Sequence, residues 1–191
     1  LWEADEGRYT AVALEMLASG DYLVPAVREG VPHLTKPPAT YWVLAGSIAL
    51  LGRSELAARL PNALAFVATV LLVGWLGRRL APERPELPAI VHATMLLPFL
   101  AANLVTADTL LTLFATAAAA FFVAGWWRPE GAGAGWLVLM WLALGLAFLS
   151  KGPVGLLPLV GALAVAGADG WRGLKRLADP LGVALFLAVG L

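Results

Sequence analysis

A cluster of polar side chains near the amino terminus has residue types that can do chemistry. Asp5 and Glu6 are adjacent acids, and Arg8 and Tyr9 follow within the next few residues. In a helix over residues 5 to 19, Asp5, Arg8 and Tyr9 lie at i, i+3 and i+4 and share one face. A carboxylate at a membrane edge can act as a general base, whereas one beside a guanidinium stays ionised and orients a partner. The structural alternative is that these acids are favoured by the dipole of the helix they begin.

A second polar cluster surrounds Lys36, in the run Thr35-Lys36-Pro37-Pro38-Ala39-Thr40-Tyr41-Trp42. Two prolines fix the backbone and begin a helix, so the ammonium group is held on a rigid turn. A lysine held in this way can neutralise the phosphate or diphosphate of a lipid headgroup. A lysine that extends along a belt of interfacial aromatic residues accounts for the same pattern.

Asp108 and Lys151 each stand between two strongly apolar runs. An ionisable residue at membrane depth is costly, and for that reason each is a candidate functional residue. Asp108 also fits the N-cap position of the helix that follows it. Lys151 lies at a break rich in Gly and Pro, where backbone groups need protein or a polar cavity around them; a plain turn is the equal alternative.

The residues that commonly hold metals and nucleotides do not form recognisable motifs. Cysteine is absent, which excludes disulfides and thiol-ligated metals, and the two histidines, His33 and His92, are far apart. No HExxH motif, Gly-rich phosphate loop or serine-nucleophile elbow occurs. We therefore expect no metal and no other cofactor. The 13 basic and 13 acidic residues balance, which gives no sign of a nucleic-acid surface.

The composition is that of an integral membrane protein. The chain is 60% hydrophobic and 14% charged, against about 45–50% and about 25% in soluble domains. We expect an all-α, polytopic transmembrane bundle in which residues 1–61 form an external segment with amphipathic juxtamembrane helices that carry the catalytic motif. Residues 62–191 are expected to supply the spans, of which the last is shorter than the roughly 20 residues needed to cross a bilayer. The expected spans are about 62–80, 87–106, 109–127, 132–149, 152–168 and 181–191.

Basic residues mark one side of the expected bundle. The loops after the first, third and fifth spans contain seven Lys and Arg residues, whereas the loops on the other side contain only Lys151. The positive-inside rule places the basic loops in the cytoplasm, so the acidic segment, Asp108 and Lys151 share the external face. The seven basic residues are Arg78, Arg79, Arg84, Arg128, Arg172, Lys175 and Arg176.

Five runs, taken in order, resemble a known family. They are DEGRYTAVALEMLASGDYLVP, HLTKPPATYW, SELAARLPNAL, TADTLLTLF and GLAFLSKGPVGLLP. Together they resemble the N-terminal part of membrane glycosyltransferases of the C-type fold, above all the bacterial relatives of protein O-mannosyltransferases and of the lipid A aminoarabinose transferase. That resemblance implies transfer of a sugar, with inversion, from a polyprenyl-phosphate donor to a lipid, glycan or protein acceptor. It also implies a bacterial inner-membrane protein whose site lies on the periplasmic face.

The resemblance assigns roles by position. The candidate catalytic residues are Asp5, Glu6 and Asp108. The candidate contacts to the donor phosphate are Lys36, Arg8, Tyr9 and Lys151, the last on proximity alone. Thr35 stands where some lipid A-modifying members carry an acid that helps to hold a metal ion, which favours the absence of a metal and weakens the lipid A interpretation.

Two other classes of protein compete with this interpretation. A transporter or flippase fragment for a lipid-linked sugar would spread ionisable residues through the depth of the spans and would often show repeated halves. Here those residues cluster at one face, and the sequence shows no internal repeat. A non-catalytic membrane scaffold would leave the set of acids and lysines without a purpose. Both ends of the sequence look cut, so we expect part of a longer polytopic enzyme that is inactive alone.

Overall fold

The computed structural model describes residues 4–28, 31–33, 35–129 and 131–190; the side chains of Ala4, Asp5 and Arg28 lie outside the description. The all-α, polytopic architecture is confirmed, with one short antiparallel β-hairpin added to it. Three helical stretches within the described ranges are long and apolar enough to cross a bilayer: Glu55–Leu80, Ala107–Trp126 and the continuous stretch Ala134–Ala168.

The first part of the chain forms a layer of two helices. Helix α1 (Ala4–Ser19) is followed by strands β1 (Ala26–Arg28) and β2 (Val31–Pro32) and by helix α2 (Ala39–Leu51). The two helices pack around a shared core: α1 contributes a stripe of apolar residues, whereas α2 is apolar on all sides and buries only one of its faces. The buried members of this core from α1 and α2 are Tyr9, Val12, Ala13, Met16, Tyr41, Leu44, Ala45 and Ile48.

Helix α3 (Glu55–Leu80) is the longest single helix described. Its N-cap is Ser54, whose side chain accepts a hydrogen bond from the backbone N–H of Ala57. The helix therefore begins before residue 62 and crosses the expected boundary at 61 without a break. Pro61 lies inside it and has no N–H to donate to the carbonyl of Ala57. The hydroxyl of Ser47 donates to that carbonyl instead, at 2.6 Å, which joins α2 to α3.

The span expected over 87–106 is divided in the structure. Helix α4 (Leu87–Thr94) ends at Met95, whose backbone is extended (φ −66°, ψ 129°), and helix α5 (Leu96–Ala102) follows directly. Pro98 explains the division, because in a continuous helix it would lack an N–H for the carbonyl of Thr94 and its ring would collide with that carbonyl. The segment after α5 then reaches the start of helix α6 (Ala107–Trp126) through residues 103–106.

Helices α6 and α7 (Ala134–Lys151) form an antiparallel pair with close contact between Gly125 and Gly133. A Cβ atom on Gly133 would collide with the Gly125 carbonyl oxygen, so the two backbones are in direct contact there. At the other end of α7, the chain reverses through a 3-10 turn (Gly152–Leu156), and Gly155 packs directly on the backbone of Ala147. Gly152 has φ +71°, a conformation that glycine adopts without strain.

The remaining helices complete the bundle. Helix α8 (Leu157–Ala168) returns beside α6, the short α9 (Gly170–Leu177) follows it, and α10 (Pro180–Gly190) packs along α7. The indole N–H of Trp141 in α7 donates to the carbonyl of Leu177 at 2.8 Å, and Gly182 leaves room for that ring. The second core, centred on Leu137, Met140 and Leu144, is built from α6, α7 and α8.

Candidate functional site

Glu6 is held inside the protein by three elements. Its side chain is only 1% exposed. One carboxylate oxygen, Oε1, accepts from the backbone N–H of Val105 at 3.0 Å, and the guanidinium of Arg59 donates to both oxygens at 3.3 and 3.4 Å. A charge buried to this degree needs such partners, because an unpaired carboxylate would be strongly penalised. Glu6 thus ties α1 to α3 and to the segment before α6.

The spacing along α1 explains why Glu6 faces inward. The buried residues of this helix include Tyr9, Val12, Ala13 and Met16, which continue the same stripe at intervals of three and four residues. Arg8 is exposed, so Arg8 and Tyr9 do not lie in the same environment although they were expected to share a face. Asp5 lies in α1, but its side chain is outside the described part, and its catalytic role stays a prediction.

Arg59 and Asn62 also belong to this region, although neither was predicted from the sequence to have a role there. Arg59 also lies 3.8 Å from Glu55, one turn before it. The amide of Asn62 donates to the carbonyls of Thr106, at 3.0 Å, and of Leu104. The signal in the sequence was a guanidinium and an amide three residues apart near the start of an apolar helix, where polar side chains are costly without partners.

Asp108 and Lys151 form an ion pair between the beginning of α6 and the end of α7. Thr106, not Asp108, is the N-cap of α6: its hydroxyl oxygen accepts from the backbone N–H of Asp108 at 3.2 Å. The same hydroxyl donates to the Asp108 carboxylate at 3.0 Å. The Asp108 side chain is 53% exposed and that of Lys151 is 26% exposed, so the pair remains open to a polar ligand.

The positive charge of Lys36 acts on the Asp108 carboxylate of this pair. Lys36 itself lies on the turn before α2. The structure therefore brings Lys36, Asp108 and Lys151 to one end of the bundle, although they come from three distant parts of the sequence. Tyr9 differs, because its ring lies in the core against Tyr41, with 5.5 Å between ring centroids.

Hydrogen bonds connect the described residues of the loop that leads to Lys36. The side chain of Asp21 accepts from the backbone N–H groups of Val24 and Leu23, which lower the pKa of Asp21 below its usual value. The indole of Trp42 donates to the carbonyl of Tyr22 at 2.6 Å. Nearer to Lys36, the hydroxyl of Thr35 and Nε2 of His33 share a hydrogen bond of 2.8 Å. The bond from Trp42 joins residue 22 to α2, and the other bonds are local to the residues that they connect.

A cavity of 610 Å³ lies beside the ion pair. Its lining includes the polar residues Glu6, Thr106 and Asp108 together with apolar side chains from α3 and α5, so the cavity offers both polar and apolar surface. Nε2 of His92 is shielded from solvent and makes no hydrogen bond within the described residues. The other lining residues are Phe66, Thr69, Leu97, Pro98, Leu100, Ala101, Leu104, Val105, Thr109 and Thr112. Such a cavity suits a molecule with a charged head and an apolar tail.

Solved structures share this fold. The chain superposes on the crystal structure of ArnT from Cupriavidus metallidurans in the apo state with a TM-score of 0.85 and 31% identity, covering 97% of this chain and 35% of that one. For the same protein bound to undecaprenyl phosphate, the TM-score is 0.82 at 31% identity, with 98% and 36% covered.

Sequence comparisons agree with the structural ones. The undecaprenyl phosphate-alpha-4-amino-4-deoxy-L-arabinose arabinosyl transferase of Edwardsiella ictaluri is 38% identical over 167 residues, which are 85% of this chain and 30% of that relative. The chain thus spans about a third of the length of the relatives it matches. Residues 35–191 match the family described as dolichyl-phosphate-mannose-protein mannosyltransferase. This protein therefore belongs to the dolichyl-phosphate-mannose-protein mannosyltransferase family.

Proposed function

We propose that this chain is part of a glycosyltransferase that moves a sugar from a polyprenyl-phosphate donor to a lipid, glycan or protein acceptor. One observation carries the proposal: Asp108, which forms an ion pair with Lys151 and lies within electrostatic reach of Lys36, lines a cavity that also has apolar lining residues. In a donor of this kind, the phosphate can pair with the lysines, and the polyprenyl chain can contact the apolar residues that line the cavity. A relative with the same fold was solved with undecaprenyl phosphate bound.

The reaction that fits these groups is a direct displacement at the anomeric carbon. An acceptor oxygen forms a bond to that carbon from one side, the bond to the donor phosphate oxygen breaks on the other, and the configuration inverts. The polyprenyl phosphate leaves with the bonding electron pair. Cations placed at the leaving phosphate stabilise the charge that develops there, a role we assign to Lys36 and Arg8.

The proton of an acceptor hydroxyl needs a base, and we assign that role to Asp5. If the acceptor is an ionised phosphate, no proton has to leave, and Asp5 orients the acceptor instead. Asp108 forms an ion pair with Lys151 and also lies within electrostatic reach of Lys36. Its negative charge offsets the repulsion between the two lysines, so both can lie near the same end of the bundle. Glu6 is a positioning residue, because it fixes the α1 backbone beside Asp5.

The face of the membrane is inferred from charge. In the described structure, the connections between spans at the end opposite Asp108 contain Arg78, Arg79, Arg128 and the basic helix α9, whereas the connection after α7 at the Asp108 end contains Lys151 in an ion pair. The other cations at the Asp108 end, Lys36 and Arg59 among them, belong to the longer amino-terminal segment and to the start of α3. The positive-inside rule then favours an external site, on the periplasmic face of a bacterial inner membrane. The names of the relatives favour 4-amino-4-deoxy-L-arabinose on undecaprenyl phosphate as the first donor to test.

The test uses the full-length protein in vesicles with a panel of undecaprenyl-phosphate sugars. Release of undecaprenyl phosphate together with a glycosylated acceptor is the expected result, and Asp5→Asn should abolish it while abundance stays unchanged. Movement of intact donor across the bilayer without cleavage would support the transporter alternative. Full turnover by Asp5→Asn with a hydroxyl acceptor would remove Asp5 from the mechanism.

A further inference from the structure

The end of the bundle opposite Asp108 has the features of a membrane interface. Arg79 lies 4.1 Å from the ring centroid of Trp75, Trp75 stacks at 5.7 Å on Trp136, and Arg128 lies 5.5 Å over Trp136. Tryptophan and arginine concentrate at the level of lipid headgroups because the ring is amphipathic and the cation meets phosphate there. The tryptophans at this end are Trp75, Trp126, Trp127, Trp136 and Trp171.

Helix α9 lies at this end and has two different faces. Leu177 is buried and Leu174 packs against the second core. Trp171 is 70% exposed, and Arg172 and Lys175 are exposed beside it. A short basic amphipathic helix between two apolar helices is typical of a segment that lies along a membrane surface.

Arg176 fixes α9 to the rest of the protein. Its guanidinium donates to the carbonyls of Gly125, at 3.0 Å, and Arg128, at 2.9 Å, and lies 5.0 Å over the ring of Trp126. The Gly125 carbonyl lies in the last turn of α6, where a cation is favoured by the helix dipole, and Arg128 follows that helix. Because Arg176 holds α9 against the bundle, the orientation of Arg172 and Lys175 is fixed as well.

A cleft of 460 Å³ lies at this helix, lined by Gly131, Arg172, Lys175 and Arg176. Within the described residues, no acid lines the cleft, and neither Arg172 nor Lys175 has an ion-pair partner. Asp169 lies instead in the neighbouring cavity with Trp126 and Arg176. Lys175 lies 5.6 Å over the ring of Trp171, so its ammonium is held near the cleft.

We propose that this cleft binds the phosphate of an anionic phospholipid headgroup. Among the residues that the structure describes, Arg172 and Lys175 have no acidic partner; they are separated by one helical turn and face the place where a bilayer presents phosphate, and the fixed cation of Arg176 completes the wall. Trp171 extends beside them at the depth of the headgroups. The site lies at the end of the bundle away from the proposed transfer site, so it does not depend on the proposed function. A lipid bound there would hold the turn between α8 and α10 at the membrane surface.

The experiment is a lipid titration of the full-length protein by native mass spectrometry. Wild-type protein is titrated with phosphatidylglycerol and, separately, with phosphatidylcholine of the same chains. The test variant is Arg172→Gln/Lys175→Gln. The matched control is Arg78→Gln/Arg84→Gln, which removes two exposed charges from the same side of the expected topology but outside the cleft. Thermal unfolding of both variants in detergent is measured as the control for correct folding.

We expect wild type and the control to retain phosphatidylglycerol in preference to phosphatidylcholine, and the test variant to bind phosphatidylglycerol about tenfold more weakly. An equal loss in both variants would mean general charge attraction and would overturn the proposal. Equal binding of the two lipids by wild type would do the same. Displacement of the lipid by millimolar inorganic phosphate would show a site for a free anion and would also overturn it.

Discussion

The Oε1 oxygen of Glu6 accepts a hydrogen bond from the backbone N–H of Val105 at 3.0 Å, across 99 residues of sequence. The same carboxylate pairs with Arg59, so one side chain joins the acidic motif of α1, the start of α3 and the segment that leads into α6. The contact therefore links three elements at the end of the bundle where Asp108 lies.

Replacement of Glu6 tests that role. Glu6→Ala leaves the Arg59 guanidinium and the Val105 N–H without their acceptor, and we expect a loss of about 2–3 kcal/mol in the free energy of unfolding. Glu6→Gln keeps one acceptor oxygen and should lose less. Thermal unfolding of the full-length protein in detergent measures both, with Glu83→Gln in an exposed loop as the control. A Glu6→Ala variant as stable as the control would show that the contact does not hold the three elements together.

The pair of Asp108 and Lys151 should matter more for turnover than for stability. Both side chains are partly exposed, so Asp108→Asn should cost less than about 1 kcal/mol of stability. We expect its sugar-transfer rate to fall at least about tenfold, because Lys151 loses its anchor beside the donor phosphate. The exchanged pair Asp108→Lys/Lys151→Asp should recover stability without recovering transfer. Recovery of both would mean that the pair is only a structural link.

Lys36 is predicted to act on the donor. Lys36→Ala should raise the donor KM more than the acceptor KM, because the lysine meets the donor phosphate, and Lys36→Arg should recover part of the loss. The control is Arg53→Ala, which removes an exposed cation from the loop after α2. Steady-state kinetics with each substrate varied in turn measures the effect. Equal rises in both KM values would argue against a contact between Lys36 and the phosphate.

Ser47 and Pro61 should be coupled through the carbonyl of Ala57. Ser47→Ala removes the hydroxyl that donates to this carbonyl, and we expect a loss of about 1 kcal/mol in the free energy of unfolding. In a Pro61→Ala background the backbone N–H of residue 61 can donate instead, so the same change should cost less. A double-mutant cycle by thermal unfolding measures the difference. Independent effects of the two changes would show that Ser47 does not compensate for the proline.

The sequence by itself determined the class of the protein and most of its helices, and it predicted a type of chemistry. Composition indicates a membrane bundle, because so apolar a chain with few charges resembles no ordinary soluble domain. Helix α6 begins near the expected residue, because an apolar run of this length with a polar cap has one stable form in a bilayer. The family resemblance rested on ordered motifs that are readable without coordinates.

Only the tertiary structure decided which polar groups meet. A helical stripe shows that Glu6 shares a face with Tyr9 and Ala13, but it does not show that Arg59 and the Val105 N–H occupy the space opposite. The break at Met95 was missed for a related reason. A hydropathy average depends only on how apolar the residues are, and it takes no account of the backbone N–H that Pro98 lacks. Contacts between distant segments depend on how the helices pack against one another, and local sequence patterns contain no information about that packing.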